Sequence, residues 1–269
     1  MIYFKSIKGP LLGVQLDDLV RESLSMYSKF QGRNLVCPSI PLLFFGDSQK
    51  YAASRIKAIT IGLNPSKEEF PDNTFSRFPE VESIHQEILD GNHLDRYLKA
   101  LNNYFRNRPY RRWFDVSFEP ILNGMGASYY DSYENVVLHT DLCSPLATNP
   151  TWSKLPTAVK VRLEEAGNRL WHALVRRLDP DIAIISVKED YLRRIRNVNG
   201  WKTVYRIERE HPYEVKMGDM MIENKVSRIF FGKAAQQPFG TVSKEDKKRI
   251  GQEIIRVMPE ENLKRVGTS

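Results

Sequence analysis

Lys57-Ala-Ile-Thr-Ile-Gly-Leu-Asn-Pro-Ser66 is the stretch that decides the fold of this 269-residue chain. Its β-branched run carries no internal charge, which is typical of a strand covered on both faces of a sheet. The strand ends at Gly62, because glycine and proline close together interrupt regular structure. Ligands of open α/β sheets bind at the carboxyl ends of the strands, so the tip from Asn64 to Ser66 is a candidate site. The alternative is that Asn64 only caps its own turn.

Three further apolar runs predict central strands of the same sheet, at 135–145, 181–187 and 226–231. Helical patterns separate the four runs, which indicates an α/β protein of three layers, α/β/α, around a mostly parallel four-stranded sheet. Parallel strands end on one edge of a sheet. We therefore expect Asn64, Asp141 and Lys233 to converge there, although they lie far apart in the sequence.

The remaining patterns predict covering helices and one addition to the sheet. The predicted helices lie at 11–32, 80–106, 108–123 and 158–178, and a basic helix follows Ser243. Two alternating segments, 201–207 and 213–223, predict an edge strand or a hairpin. We expect a single domain over 1–269, with an N-terminal covering helix in 1–40, a core at 41–255 and a tail at 256–269.

Composition favours a cytoplasmic protein with an anionic partner. The net charge is +7 and the isoelectric point is near 9.3, as expected for a protein that binds nucleic acid. The basic residues cluster at 104–113, 191–196 and 244–249, either as phosphate contacts or as solvated helix faces. No apolar run approaches membrane-spanning length, the N-terminus lacks a signal-peptide layout, and two cysteines are too few for a disulfide framework.

Several enzyme classes lack their motifs in this chain. Gly62-Leu-Asn-Pro-Ser66 has neither the later glycine nor the Lys-Ser pair of a phosphate-binding loop. The sequence has no Gly-x-Ser-x-Gly elbow and no zinc-deaminase signature. A metal site built from Asp47, Asp141 and His139 is an alternative that their spacing does not demand, so we expect no metal.

Three stretches together resemble the uracil-DNA glycosylase superfamily. They are Gly62-Leu-Asn-Pro-Ser66, Leu138-His-Thr-Asp-Leu-Cys-Ser-Pro-Leu146, and the late strand that runs into a proline-containing loop and a capped helix. The resemblance covers the chain from about Pro41 to Ile255. It is closest to the branches whose first motif reads Gly-x-Asn-Pro, the mismatch-specific and single-strand-selective enzymes.

This resemblance implies a monofunctional DNA glycosylase with a three-layer fold. Such an enzyme flips a nucleotide out of the duplex and hydrolyses its N-glycosidic bond without a metal or cofactor. By this match Asn64 positions the attacking water, since an amide orients water but is not a strong base. The expected partner is DNA, with no membrane and no nucleotide cofactor, and the expected state is a monomer.

The last motif departs from the family pattern. Family members commonly carry His-Pro-Ser-Pro there, and this chain has Gly232-Lys-Ala-Ala-Gln-Gln-Pro-Phe-Gly240. Lys233 is the expected catalytic replacement for the histidine, with Gln236 or Gln237 as alternatives. The expected DNA-contacting or wedge residues are Gln236, Gln237, Phe239, Ser243 and Lys244. If no residue replaces the histidine, the chain is a catalytically silent nucleic-acid-binding relative.

The second motif departs at the position that reads the base. Uracil-specific relatives use an asparagine where Asp141 stands, and a carboxylate suits the amino group of cytosine better than the carbonyl of uracil. The small Ser66 replaces a tyrosine that blocks substituents at C5 of the base. The resemblance then implies an anti-phage glycosylase for a modified cytosine. The expected base-binding residues are Asp141, Thr140, His139, Ser66, Phe70, Phe75 and Phe78.

Alternative functions remain open at this point. A register shift of one residue would place Thr140 instead of Asp141 at the base, and would favour uracil or a deaminated base in a repair enzyme. A third reading is a metal-dependent nuclease. These readings differ in product, because a glycosylase leaves abasic sites without magnesium and a nuclease cuts only with metal.

Overall fold

The structure is a computed structural model that describes residues 16–30, 32 and 34–259. The α-helices of this part are α1 (Asp17–Phe30), α2 (Ser48–Ala53), α3 (His85–Leu89), α4 (Leu94–Asn102), α5 (Arg111–Ser117), α6 (Glu119–Gly124), α7 (Thr157–Leu178) and α8 (Lys244–Arg256). The strands are β1 (Ala58–Gly62), β2 (Ala127–Ser128), β3 (Asn135–Val136), β4 (Leu138–Asp141), β5 (Ile182–Ile185), β6 (Val198–Ile207), β7 (Tyr213–Ile222) and β8 (Lys225–Gly232). Short 3-10 turns join several of them.

Six strands form one sheet in the order β4-β1-β5-β8-β7-β6. The four predicted central strands, β4, β1, β5 and β8, pair in parallel, which confirms a mostly parallel sheet flanked by helices. The sheet has two strands more than the four predicted, because the antiparallel hairpin β6–β7 pairs with the free edge of β8. The predicted extended segments 201–207 and 213–223 are the two arms of that hairpin.

One face of the sheet is covered by α7, with α1 packed on it. Trp171 on α7 donates from its indole Nε1 to Thr140 Oγ1 at 3.1 Å. Gly167 brings α7 against the loop after β4, since a Cβ at this position would lie 2.2 Å from the Cys143 carbonyl oxygen. At 22 residues α7 is long, yet no helix within 16–30 and 34–259 is both long and apolar enough to cross a membrane.

The other face carries α5, α6 and α8. Two glycines let α6 and α8 cross closely: a Cβ on Gly124 would lie 2.1 Å from the Lys248 carbonyl oxygen, and one on Gly251 would lie 2.0 Å from that of Ile121. Phe118, between α5 and α6, is fully buried and its ring lies 5.9 Å from His139 of β4. This layer therefore closes over the side of the sheet that carries His139.

Helix boundaries differ from the sequence-based expectations in two places. The segment 80–106 is divided into a 3-10 turn and two helices, because Gly91 and His93 adopt left-handed backbone angles between α3 and α4. Pro120 lies in the first turn of α6, where proline is tolerated, and 108–123 contains two short helices. The predicted first helix is present as α1, whereas 11–15 and 31 lie outside the described residues. Of the predicted tail, 260–269 also lies outside them.

Candidate functional site

The carboxyl ends of the parallel strands lie at one edge of the sheet, and those of β1 and β4 meet at Gly62. Gly62 is in register with Asp141 of β4, and its carbonyl oxygen accepts a hydrogen bond from Leu142 N at 3.0 Å. The ends of β5 and β8 are joined by Ala234 N, which donates to the Val187 carbonyl at 3.0 Å. Strand β4 pairs with one side of β1, and β5, the next parallel strand along the chain, pairs with the other side. This reversal of direction is a topological switch point, where open α/β sheets bind ligands.

Asp141 and His139 form a buried polar pair at this point. Both side chains are 3% exposed, and His139 Nε2 lies 3.7 Å from Asp141 Oδ1. Nδ1 of His139 shares a hydrogen bond with Thr60 Oγ1 at 2.8 Å, and Thr60 in turn contacts the Tyr129 hydroxyl. Burial raises the pKa of Asp141, and His139 partly opposes that rise. The result is a desolvated carboxyl group beside a histidine whose other ring nitrogen is hydrogen-bonded.

Aromatic rings pack against the imidazole of His139. The centroids of Phe45, Phe114 and Phe118 lie 5.5, 5.1 and 5.9 Å from it. Asp141 as a whole residue is 6% exposed. The pair is therefore screened from bulk water, which strengthens its electrostatic interactions with any group that reaches it.

Glu69 is a second buried acid that the sequence reasoning missed. It ends a 3-10 turn just after the first motif, is 4% exposed, and accepts a hydrogen bond from the Tyr104 hydroxyl at 2.5 Å. Burial raises its pKa to about 7; the charges of Asp141 and Glu68 add to the rise, while Tyr104 and Arg77 oppose it. Perturbed acids cluster at functional sites. The only signal in the sequence was the position of Glu69 near the end of β1. The acidic pair Glu68-Glu69 is equally typical of a solvent-exposed turn.

Asn64 ties two loops together through its amide nitrogen. Nδ2 donates to Thr148 Oγ1 at 2.8 Å and to the carbonyl oxygens of Pro65 and Leu146 at 2.6 and 3.3 Å. These contacts support the alternative in which Asn64 stabilises its turn. Oδ1 accepts no hydrogen bond from the described residues, so the carbonyl end of the amide is free to accept one. A role in orienting water stays a prediction.

Ser66 and Thr140 have structural partners. Ser66 Oγ accepts from Glu68 N at 3.3 Å and caps the turn after the first motif. Thr140 is fully buried and faces α7, where its hydroxyl contacts Trp171. Side chains alternate along a strand, so Thr140 and Asp141 point to opposite faces. The structure therefore places Thr140 and Asp141 on opposite faces, and which of the two meets a base stays a prediction.

The three phenylalanines after the first motif belong to the core. Phe70, Phe75 and Phe78 are at most 4% exposed. Phe70 lies 5.7 Å from Phe75 and 5.4 Å from Phe78, and Phe78 stacks on Tyr104 at 5.4 Å. In this conformation none of the three presents its face for stacking on an extruded base, because each is committed to these ring contacts.

The residues predicted to contact DNA after β8 differ in how far they are buried. Phe239 is 1% exposed, and its ring packs against Phe118 and Tyr213, so it does not project as the expected wedge. Ser243 caps α8 by accepting from Asp246 N at 3.0 Å. The remaining residues predicted to contact DNA lie at the surface: Lys233, Gln236 and Lys244 are exposed and Gln237 is half-buried.

Three lysines form a basic rim at the same edge. Lys67, Lys188 and Lys233 follow the adjacent strands β1, β5 and β8, and all three are exposed. None has a salt bridge within the described part of the chain. We call these three residues the basic rim, and each is a candidate contact for a phosphate group.

The alternative metal site is not assembled. Asp47 caps α2 by accepting from Gln49 N and Lys50 N, and it pairs with Arg106 at 2.6 Å. Across 16–30, 32 and 34–259, no three His, Cys, Asp or Glu side chains are grouped as a set of metal ligands.

Compared with known proteins, the chain matches no protein-family model and no curated protein.

Proposed function

We propose that this protein is a monofunctional DNA glycosylase of the uracil-DNA glycosylase-like fold. It flips out a modified or damaged pyrimidine and hydrolyses the N-glycosidic bond, leaving an abasic site. The favoured base is a modified cytosine, such as glucosylated hydroxymethylcytosine in phage DNA, and the corresponding role is anti-phage defence. Uracil or another deaminated base, in DNA repair, is the alternative substrate.

One observation carries the proposal: the buried carboxyl group of Asp141 at the end of β4, beside His139 and over Gly62. An ionised carboxylate only accepts hydrogen bonds, so it pairs with the exocyclic amino group of cytosine and not with a carbonyl. Burial makes an unpaired carboxylate costly, and a base that donates to it relieves that cost.

The proposed reaction assigns each site residue a step. The electron pair of the N-glycosidic bond leaves with the base, the oxygen of a water held by Asn64 Oδ1 bonds to C1′ of the sugar, and the proton that this water loses neutralises the departing base. The sugar passes through a cationic, oxocarbenium-like state, which the anionic departing base stabilises electrostatically. Lys233 offsets the negative charge of the departing base.

The basic rim supports binding of the DNA strand. Extruding a base costs a few kcal/mol, and phosphate contacts from Lys67, Lys188 and Lys233 offset part of that cost. The net charge of +7 acts in the same direction.

The second candidate is a catalytically silent nucleic-acid-binding protein. The rings of Phe45, Phe114 and Phe118 fill the space beside His139, and Asp141 is 6% exposed. Because the Asp141 side chain is 3% exposed, a substrate base reaches the carboxyl group only if the side chains around it move. If that displacement does not occur, the basic rim binds nucleic acid without chemistry.

Base release from a panel of DNAs tests the proposal. Purified protein is incubated with uracil-rich, unmodified, and hydroxymethylcytosine- or glucosylated-cytosine-containing DNA in the presence of a metal chelator, and free bases are identified by mass spectrometry. We expect release of modified cytosine and alkali-labile abasic sites. Binding without release supports the silent relative, and strand cleavage that requires added magnesium supports a nuclease.

A further inference from the structure

A groove of about 620 Å³ lies beside the first motif, outside the Asp141–His139 pair. Its walls come from the segment after β1, the loop after β4 and the chain before α2. The lining residues used below are Leu35, Cys37, Lys67, Glu68, Pro71, Asp72, Asn73 and Asn149. The volume is within the range of small-ligand sites, which is about 300 to 1,000 Å³.

The walls of the groove are held together around Thr148. Its backbone bridges to both Leu35 and Ser66, and its hydroxyl accepts the hydrogen bond from Asn64 Nδ2. Asn149 N donates to the Asn34 carbonyl at 3.1 Å. Three chain segments distant in sequence are therefore tied by hydrogen bonds at this point. The groove is a preformed feature of the fold and not a gap between independent loops.

We propose that this groove binds an unpaired nucleotide of a nucleic-acid strand, with a preference for a base that carries an amino group. The proposal shares with the proposed function only the expectation of a nucleic-acid partner. It does not require base release. It adds a nucleotide subsite separate from Asp141.

The chemistry of the lining matches the parts of a nucleotide. Leu35 and Pro71, which are half-buried, supply apolar surface for the flat face of a base. The amides of Asn73 and Asn149 make no side-chain hydrogen bond within the described residues, so they are available to a base edge. Lys67 is exposed and has no salt bridge there, which suits a phosphate oxygen.

The two acids in the lining determine the preferred base. Glu68 and Asp72 have no salt-bridge partner within 16–30, 32 and 34–259, and their carboxylates accept hydrogen bonds but do not donate them. Cytosine and adenine present amino donors on their edges, whereas thymine presents a carbonyl at the equivalent position. A carboxylate next to that carbonyl is repulsive. The groove is therefore expected to bind cytosine or adenine more tightly than thymine.

Cys37 makes the groove directly measurable. It is exposed in the groove wall, whereas Cys143, the other cysteine of the chain, is fully buried. The full chain is treated with N-ethylmaleimide, and labelling at Cys37 is followed by mass spectrometry with and without a short single-stranded oligodeoxycytidylate. With free oligonucleotide at about ten times its Kd, we expect labelling to slow roughly ten-fold.

Two comparisons make the result specific. Oligodeoxythymidylate at the same concentration is expected to protect Cys37 less, and Lys67→Ala with Asn73→Ala is expected to remove the protection. Lys50→Ala, which removes a lysine paired with Asp131 elsewhere on the surface, serves as the matched control and retains it. The proposal is overturned if fluorescence anisotropy shows bound oligonucleotide while the labelling of Cys37 is unchanged. It is also overturned if both oligonucleotides protect Cys37 equally, or if neither binds. Base release is measured separately. Base release without protection of Cys37 supports the glycosylase and contradicts the groove, and protection of Cys37 without base release does the reverse.

Discussion

Gly62 and Asp141 face each other across the β1–β4 pair so closely that Gly62 has no room for a side chain. A Cβ on Gly62 would lie 2.4 Å from Asp141 Oδ1 and 2.9 Å from His139 Nε2. Both contacts are shorter than real Cβ atoms make, so an alanine would force the pair to move. The first motif thus contributes to the site through the absence of a side chain at its glycine.

Gly62→Ala is therefore expected to destabilise the fold by about 2 kcal/mol and to abolish base release. The physical reason is displacement of the buried Asp141–His139 pair. Chemical denaturation and the base-release assay measure the two effects. Gly32→Ala is the matched control, because the nearest atom that a Cβ there would meet among the described residues is 3.9 Å away. Normal activity in Gly62→Ala would remove this pair from the site.

Asn64 and Thr148 test whether the first-motif asparagine is structural or catalytic. Asn64→Ala removes three hydrogen bonds from Nδ2 and is expected to lower the free energy of unfolding by about 2 kcal/mol, while Thr148→Val lowers it by about 1. Base release should be lost only in Asn64→Ala, with DNA affinity within a few-fold of wild type. If Asn64→Ala releases base as fast as Thr148→Val does, the role of Asn64 is limited to stabilising its turn.

Asp141→Asn is expected to shift base preference toward uracil. An asparagine amide both donates and accepts, so it pairs with the carbonyl and imide of uracil, which the carboxylate cannot do. A competition assay on mixed substrates measures the shift. Asp131→Asn, an exposed acid paired with Lys50 and Arg106, is the control and should leave preference unchanged. If Asp141→Asn also leaves it unchanged, Asp141 does not read the base.

Glu69 should make stability depend on pH. Its pKa rises from 4.5 to about 7 on folding, so the folded state holds a proton that the unfolded state releases. Its contribution to stability is present below pH 4.5 and is lost as pH rises toward about 7, a change of about 3 kcal/mol. Glu69→Gln keeps an acceptor for Tyr104 without a charge and should remove this part of the pH dependence.

The measurement is the free energy of unfolding between about pH 4.5 and pH 8. Relative to wild type, Glu69→Gln should gain about 3 kcal/mol across this interval. Glu68→Gln, a change at the neighbouring half-buried acid, should show no such gain. Parallel curves for wild type and Glu69→Gln would mean that Glu69 is ionised throughout.

The basic rim predicts a salt effect. Lys188→Ala with Lys233→Ala is expected to reduce the slope of log affinity against log salt by roughly 2 on double-stranded DNA, since each phosphate contact contributes about 0.9. Lys50→Ala, at a salt-bridged lysine, should change the slope little. Fluorescence anisotropy at several salt concentrations gives the slopes. An unaltered slope would place the DNA on another surface.

The buried strands were predictable because their signal is local. Runs such as 181–187 and 226–231 are apolar and β-branched, and such runs form central strands whatever packs on them. The wrong prediction at 80–106 has a local cause as well. The turn sequence Asp90-Gly91-Asn92 interrupts the helical periodicity, and Gly91 and His93 adopt left-handed backbone angles between α3 and α4.

The sequence by itself determined the parallel core, the hairpin segments and the polar strand tips that meet at one edge, since periodicity and glycine–proline punctuation are encoded residue by residue. Only the tertiary structure decided which side chains are buried there. It placed Glu69 beside Tyr104, turned Thr140 away from Asp141, and committed Phe70, Phe75, Phe78 and Phe239 to the core. The physical reason is that desolvation and side-chain contact depend on residues far apart in the chain, which no local pattern specifies.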